Sequence, residues 1–415
     1  MFKINKESFF FAALILVAIT LPFSNLLVNT MSIWSMIFFW IINSPIKEKI
    51  QLLKSNKLVW LFVSLFLINV IGLIYGDLKL GMFEVEKKLS LLIFPVVLGT
   101  SSQISSKRLK AIFISFAISC IAIGLICLVN TFYTNYSQGI TLNNVHLNNN
   151  YTWRFSYLNL TKDFGIHPSY FSMYAVFSIF ILLCMLLKKK HVSKTIKFSL
   201  MASIIFLIIL ILFLASRIGI ICLLILSLGS ILVYYYKKQK LIYGIIATLL
   251  IISLMVYFLQ FFSPISEKFK DLVYRGSENL PFRSFVRFDL WKSTLAVIKD
   301  NLLIGVGTGD LQPILQTIFK SSNYVESYQN HYNPHNQFLD TAATLGIIGF
   351  LVFSLGVFYP FYLSYKKKMY LYSIFILLFI FVCLVECPLA VQKGVVWYAF
   401  FNSLFAFHSL KKSTE

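Results

Sequence analysis

Apolar runs of roughly membrane-crossing length recur along this chain from end to end, and no other feature limits its possible folds so sharply. A helix rising 1.5 Å per residue needs about 20 apolar residues to cross a hydrocarbon core of ~30 Å. Runs that meet or approach this length lie at 8–27, 29–45, 58–76, 88–101, 110–132 and 168–187. Six more lie at 196–214, 218–236, 241–260, 336–364, 370–387 and 394–409. Only 13% of the residues are charged and 58% are hydrophobic, whereas a soluble domain carries about a quarter charged. The expected fold is therefore all-α: a polytopic integral membrane protein with about 12 transmembrane helices. Pro22 and Pro95 fall inside runs, where neighbouring helices can satisfy the freed backbone groups. The first run lacks a small-residue cleavage site and reads as a retained helix. Residues 1–260 would hold nine helices, 261–335 one large outer loop, and 336–415 the last three.

Charge gives this count an orientation. With the N-terminus inside and the runs alternating, the inner side receives 22 of the 37 basic residues but only Glu7, Glu48 and Glu415 of the 16 acidic ones. The net charge of +21 then divides as +19 inside and +2 outside. Lys and Arg concentrate on cytoplasmic loops of membrane proteins, so both ends are expected in the cytoplasm. The same asymmetry accounts for the basic balance without a nucleic-acid partner.

Cys120, Cys127, Cys184, Cys222, Cys383 and Cys387 all lie in or beside apolar runs, without metal-site spacing, and read as packing residues. No Asp-x-Asp pair, Walker loop or His-Glu-x-x-His appears, so no metal or other cofactor is expected. Two outer segments, 133–167 and 261–335, exceed ordinary loop length, and such loops are commonly functional. The second is expected to hold a short helix from about Ser284 to Ile298 and to pack over the outer mouth of the bundle. Its Gly305-Val306-Gly307-Thr308-Gly309 follows no strand, so a dinucleotide loop is disfavoured; a tight turn whose N–H groups could face an anion fits better.

The informative ionisable residues sit at the outer ends of the runs. Arg217 interrupts two apolar stretches with almost no loop, a costly position unless it serves a purpose; an arginine snorkelling to the interface is the alternative. Pro334-His335-Asn336 opens the tenth run. In the first helical turn the positive end of the helix dipole would favour a neutral imidazole able to accept a proton, which makes His335 a candidate general base. An interfacial helix-capping histidine is the alternative. Asp340, one turn beyond Asn336, would orient the site or complement the helix terminus. His167-Pro168-Ser169 opens the sixth run in the same way, either lining the site or simply starting a helix. Arg287, near the start of the loop helix, would by itself be an ordinary surface arginine. Arginines and a histidine at one depth suit an anionic lipid head group, because a guanidinium keeps its charge and binds phosphate through a fixed fork.

Taken together these stretches resemble the O-antigen ligase and polymerase family of bacterial envelope enzymes. Pro334-His335-Asn336-Gln337-Phe338-Leu339, continuing through Leu345-Gly346-Ile347-Ile348-Gly349, is similar to the family's His-Asn, Leu, Gly-x-x-Gly signature. Arg287-Phe288-Asp289-Leu290-Trp291 followed by Gly305-Val306-Gly307 resembles its Arg-x-x-x-Trp and Gly-x-Gly stretch. Ser216-Arg217 resembles its Ser-Arg-Thr/Ser-Gly element, with Ile218 in place of the small polar residue, and Glu386 also resembles a family position. The resemblance covers roughly 160–405. It implies a metal-independent glycosyltransferase in the bacterial inner membrane, similar to the lipid-linked-donor, GT-C-like transferases, with its large loop and active site periplasmic. The donor would be an undecaprenyl-diphosphate-linked glycan held at Arg217 and Arg287. His335 would deprotonate a hydroxyl of the acceptor, a lipid A-core sugar or a growing glycan, with His167, Asn336, Asp340 and Glu386 in support. The single large late loop suits the ligase branch; a polymerase with the same donor is the alternative. A transporter or flippase would need ionisable residues near the bilayer midplane, and the runs are nearly free of them.

Overall fold

The structure is a computed structural model that describes residues 6–23, 25–139, 154–188, 193–246, 248–250, 253 and 286–409. Residues 140–153, the end of the ninth run and residues 261–285, including the expected loop-helix start at Ser284, lie outside the described residues. All regular structure among the described residues is helical. In chain order it comprises α1 (Lys6–Thr20), α2 (Leu26–Asn43), α3 (Ile46–Ser55), α4 (Lys57–Ile71), α5 (Leu78–Lys88) and α6 (Ser90–Gly99). These are followed by α7 (Ser106–Ser137), α8 (Leu158–Thr161), α9 (Pro168–Lys188), α10 (Lys194–Leu214) and α11 (Arg217–Lys237). The loop and C-terminal part hold α12 (Val286–Asp300), α13 (Leu311–Ser321), α14 (Val325–Gln329), α15 (Gln337–Lys366), α16 (Tyr370–Cys383) and α17 (Gln392–His408).

Among the described residues, six helices are long and apolar enough to cross a membrane: α2, α7, α9, α10, α11 and α15. A seventh is obtained if α3 and α4, bent by 88° at Asn56, form one broken span. The first, fourth, eleventh and twelfth expected runs are helical but short. α1 stops at Thr20 because Pro22 restricts Leu21 and cannot donate into the ladder. α6 has only 10 residues and α16 only 14, lengths typical of buried core helices rather than of bilayer crossings. In α17 every residue from Gly394 to His408 is buried; a helix apolar on all sides can be surrounded by protein as well as by lipid. The cysteines are free thiols, with Cys184 partly buried and the other five buried, as the packing reading expects.

The chain forms two compact units. One contains residues 1–14, 32–111 and 281–415. Its centre is α17, against which α6 and α16 lay aromatic side chains: Phe94 meets Phe400 at 5.3 Å, Phe379 stacks on Tyr398 at 4.0 Å and Phe375 meets Trp397 at 4.6 Å. Such pairs add about 0.5–1.5 kcal/mol each beyond their buried area. The helices of the large loop form a cap with its own core of Leu290, Val297, Leu311, Leu315 and Phe319, seated on Ala343 of α15. The expected loop helix is present as α12; α13 and α14 were not anticipated, although Leu311, Leu315 and Phe319 recur at the helical i, i+4, i+8 spacing.

The other unit contains residues 15–31 and 112–280 and is described by α7–α11. α10 and α11 are joined by a near-minimal turn, with Ala215 left-handed at φ 45° and Ser216 capping α11 through Gly219 N–H at 3.5 Å. A side chain at Gly219 would reach within 2.4 Å of Ser172 Cβ, so this glycine sets how closely α11 approaches α9.

Within the first unit, α15 is broken at Gly346, whose φ 65° and ψ −166° place it in a region essentially reserved for glycine. The break frees backbone groups of α15, and the glycine-rich loop takes them up. Val306 and Gly307 N–H donate to the carbonyls of Ala343 and Thr344 at 3.0 and 2.9 Å, and Ile347 N–H donates to Leu302 O at 2.8 Å. A Cβ at Gly346 would lie 2.3 Å from Leu303 O. Gly346→Ala therefore meets both torsional strain and a clash, and should cost more than the ~1–3 kcal/mol of strain alone. The expected result is a markedly lower melting temperature of the purified protein, whereas Gly229→Ala, with nothing within 4 Å of the added methyl, should leave it nearly unchanged.

Candidate functional site

The site is assembled at the N-terminal end of α15. Asn336 is the N-cap: its Oδ1 accepts from Phe338 and Leu339 N–H at 3.0 and 3.1 Å, while its Nδ2 donates to Leu384 O at 3.2 Å. Gln337, the first helical residue, accepts from Leu389 N–H at 2.8 Å. These two side chains fasten the 384–390 segment beside the helix start and so deliver Glu386 to His335. The Glu386 Oε2 to His335 Nδ1 distance is 2.9 Å, with side-chain exposures of 13% and 28%, dry enough for the pair to be strong.

His335 is not in the first turn of α15, as the sequence suggested. It precedes the cap with φ 46°, and its own N–H donates to Asn333 Oδ1 at 2.9 Å. A left-handed conformation is uncommon outside glycine and costs about 1 kcal/mol or more, so the surroundings hold it there. The Tyr332 ring lies edge-on at 5.4 Å, and Trp291 Nε1 donates to Pro334 O at 3.1 Å. The ring's immediate partner is thus a carboxylate and not a helix terminus. An Nδ1–H donated to Glu386 fixes the tautomer and leaves Nε2 as the acceptor nitrogen.

Trp291 also ties α12 to this turn. Arg287 lies one helical turn before it on the same face; the side chain is exposed, and its guanidinium has no ion-pair partner among the described residues. Arg217 and His167 belong to the other unit. Arg217 is exposed at the first position of α11, where a positive charge opposes the helix dipole, so helix stability does not explain its presence. His167 starts α9: its Nδ1 accepts from Ser169 N–H at 3.3 Å, which gives it a capping task.

Beside His335 the first unit contains a cavity of about 240 Å³. Gln337, Asp340, Thr341 and Thr344 project into it from one face of α15, with Leu345, Gly349 and Phe353 continuing that wall. α5 contributes Glu84, Lys87 and Lys88, α4 contributes Leu65, Ile68 and Asn69, and the cap contributes Gln312, His331 and Asn333. Gln337 Nε2 donates to Asp340 Oδ2 at 3.1 Å. Glu84 is paired with Lys87 and, at 3.4 Å, with Lys88. Burial alone would raise the Glu84 carboxyl, but Lys88 and Lys87 outweigh it and hold it below its ordinary value.

Sequence reasoning passed over Glu84, Lys87, Lys88, Gln312 and Gln337. Two signals were available: ion-pair spacing at i, i+3 and i+4 immediately before an apolar run, and polar residues at 337, 340, 341 and 344 on one face of an otherwise apolar helix. The glycine-rich loop is not an anion cradle, because the N–H groups of residues 305–308 all donate to protein carbonyls.

A polar cavity beneath a helical cap, at the mouth of apolar helices, defines a multi-pass helical membrane protein with an ionisable site built at one helix start. Residues 202–354 match the family model described as O-antigen ligase. The matched stretch includes Arg217, Arg287, His335, Asn336 and Asp340 and ends before Glu386. A search of curated proteins gave no match. The domain is found in O-antigen ligases and polymerases, membrane enzymes that act on lipid-linked polysaccharide.

Because the folded Glu84 carboxyl titrates below its unfolded value of 4.5, its contribution to stability is complete above that pH and is lost as pH falls through the folded value. Glu84→Gln should therefore lower the melting temperature at pH 7, and the gap to wild type should shrink on acidification below about pH 4.

Proposed function

We propose that this protein is an O-antigen-ligase-type glycosyltransferase that moves a polysaccharide from undecaprenyl diphosphate to a lipid A-core sugar. The observation that carries this reading is the His335–Glu386 pair at 2.9 Å, which leaves Nε2 for a substrate hydroxyl. The acceptor oxygen attacks the anomeric carbon as the bond from that carbon to the lipid diphosphate breaks, with inversion. Nε2 takes the hydroxyl proton, and Glu386 stabilises the imidazolium that results. Arg287 and Arg217 balance the charge of the departing diphosphate, electrostatic work that suits fixed guanidinium groups.

The donor is already activated, so the reading needs no nucleotide on the far side of the membrane. It places the chain in a bacterial inner membrane, crossing about twelve times, with both ends cytoplasmic and the dyad periplasmic. Support for this topology comes from the division of charge, +19 against +2.

Purified protein supplied with lipid-linked glycan and core acceptor should form product. His335→Ala should lower the rate by about 10²–10⁴, and Arg287→Ala should lower it by roughly 10²-fold. Glu386→Gln should lower the rate while leaving the acceptor KM nearly unchanged, since it touches the imidazole and not the substrate. Full activity in both His335→Ala and Arg287→Ala would defeat the assignment. A null mutant that leaves long chains on the lipid carrier supports the ligase; one that leaves single units on the core makes the protein a polymerase.

A further inference from the structure

We infer that the cavity beside His335 is a subsite for one uncharged sugar ring, the terminal ring of the acceptor, and is not a site for the diphosphate. Naming that ring as the acceptor's rests on the transferase reading; the saccharide chemistry of the cavity does not.

Charge balance excludes the diphosphate. Lys87 and Lys88 face the cavity, but so do Glu84, already paired with both, and Asp340. Two cations against two carboxylates leave no surplus positive charge. A phosphate group here would sit against Asp340 in a partly desolvated space, where like charges repel strongly.

The same lining suits hydroxyl groups, each of which both donates and accepts. Asp340 uses Oδ2 on Gln337 and retains Oδ1; Asn69 and Gln312 spend their amide N–H groups on the carbonyls of Leu65 and His331 and retain their oxygens. The Lys87 and Lys88 ammonium groups and the Thr341 and Thr344 hydroxyls add donors. Leu65, Ile68 and Phe353 provide an apolar surface for the C–H face of a ring. Asp340 and Lys88, one acceptor and one donor, are the residues expected to set specificity.

Size limits the occupant to one ring. Its 240 Å³ lies below the ~300 Å³ at which pockets for drug-sized ligands begin, a size suited to a single ring. The sugar joined to the donor's diphosphate is substituted on both sides, by the lipid phosphate and by the glycan. A terminal acceptor ring is attached on one side only and fits a pocket of this size. Asn333 and Gln337 flank His335 in the chain and both line the cavity, so an occupant lies beside the His335 turn.

The test is ligand-observed NMR on the purified full chain in detergent, with the methyl glycosides of glucose, galactose and N-acetylglucosamine as probes and sodium pyrophosphate as competitor. At least one glycoside should bind at millimolar concentration without displacement by pyrophosphate. Asp340→Asn and Lys88→Met should each weaken binding by about tenfold or more, while Lys320→Ala on the cap surface should not. Lys87→Gln, at a side chain one-third exposed, repeats the test at a second position, and melting temperatures are read for every variant. Absence of glycoside binding, binding unchanged in the folded variants, or displacement by pyrophosphate would overturn the subsite. Binding is read without turnover, so the two readings fail separately. Glycoside binding in a protein with no transfer activity sinks the transferase and keeps the sugar site. His335-dependent transfer without variant-sensitive binding does the reverse.

Discussion

The first unit depends on a main-chain splice between the glycine-rich loop and the broken helix α15. A helix interrupted inside an apolar bundle exposes N–H and C=O groups that have no water to turn to, and each costs on the order of 1–3 kcal/mol if left unpaired. Here Val306, Gly307 and Leu302 supply the missing partners for Ala343, Thr344 and Ile347. Gly305 and Gly346 face each other's segment, where a Cβ on either would fall within 2.5 Å of the opposing backbone, while Gly307 gives similar clearance to Gly76 in the turn after α4. The loop continues outward from the splice: Thr308 bonds to Gly72 and Asn69, Tyr75 to Ile304, and Asp310 to Asp77. α4, α5, the cap and α15 are joined in this way around one cavity.

The splice has a consequence for chemistry. It fixes the first nine residues of α15 as a separate short segment whose polar face lines the cavity and whose cap turn carries His335. His335 and the cavity's polar wall therefore share one rigid element, the kind of arrangement that holds two groups in register. Charge is divided in the same economical manner. The cavity is balanced between Lys and carboxylate, while Arg287, on the same unit, is exposed and does not line it.

Much of this was legible in the chain. Pro334-His335-Asn336 marked the helix start, and Asn336 does cap it; Arg217 opens α11, and the loop helix ends within two residues of its expected end, its expected start lying outside the described residues. The sequence offered only apolarity as a measure of span length, and six or seven helices among the described residues meet the length and composition of a crossing. α6, α16 and α17 are apolar because aromatic neighbours surround them, and hydropathy does not distinguish protein from lipid. His335 did mislead: its left-handed backbone moves it one step outside the helix, and single-residue conformations of this kind are set by the surrounding fold.

By itself the sequence determined that the chain is helical, with several apolar runs long enough to cross a membrane, and that His335 and two arginines stand at or beside helix starts. Those properties follow from local spacing and composition, which a linear reading samples directly. Only the tertiary structure decided that Glu386, fifty-one residues away, is the partner of His335, that Glu84, Lys87 and Lys88 share a cavity with Asp340, and that the glycine loop binds backbone and not an anion. These depend on which distant segments meet: Asn336 and Gln337 fasten the segment that carries Glu386, and backbone groups freed by the broken helix take up the glycine loop.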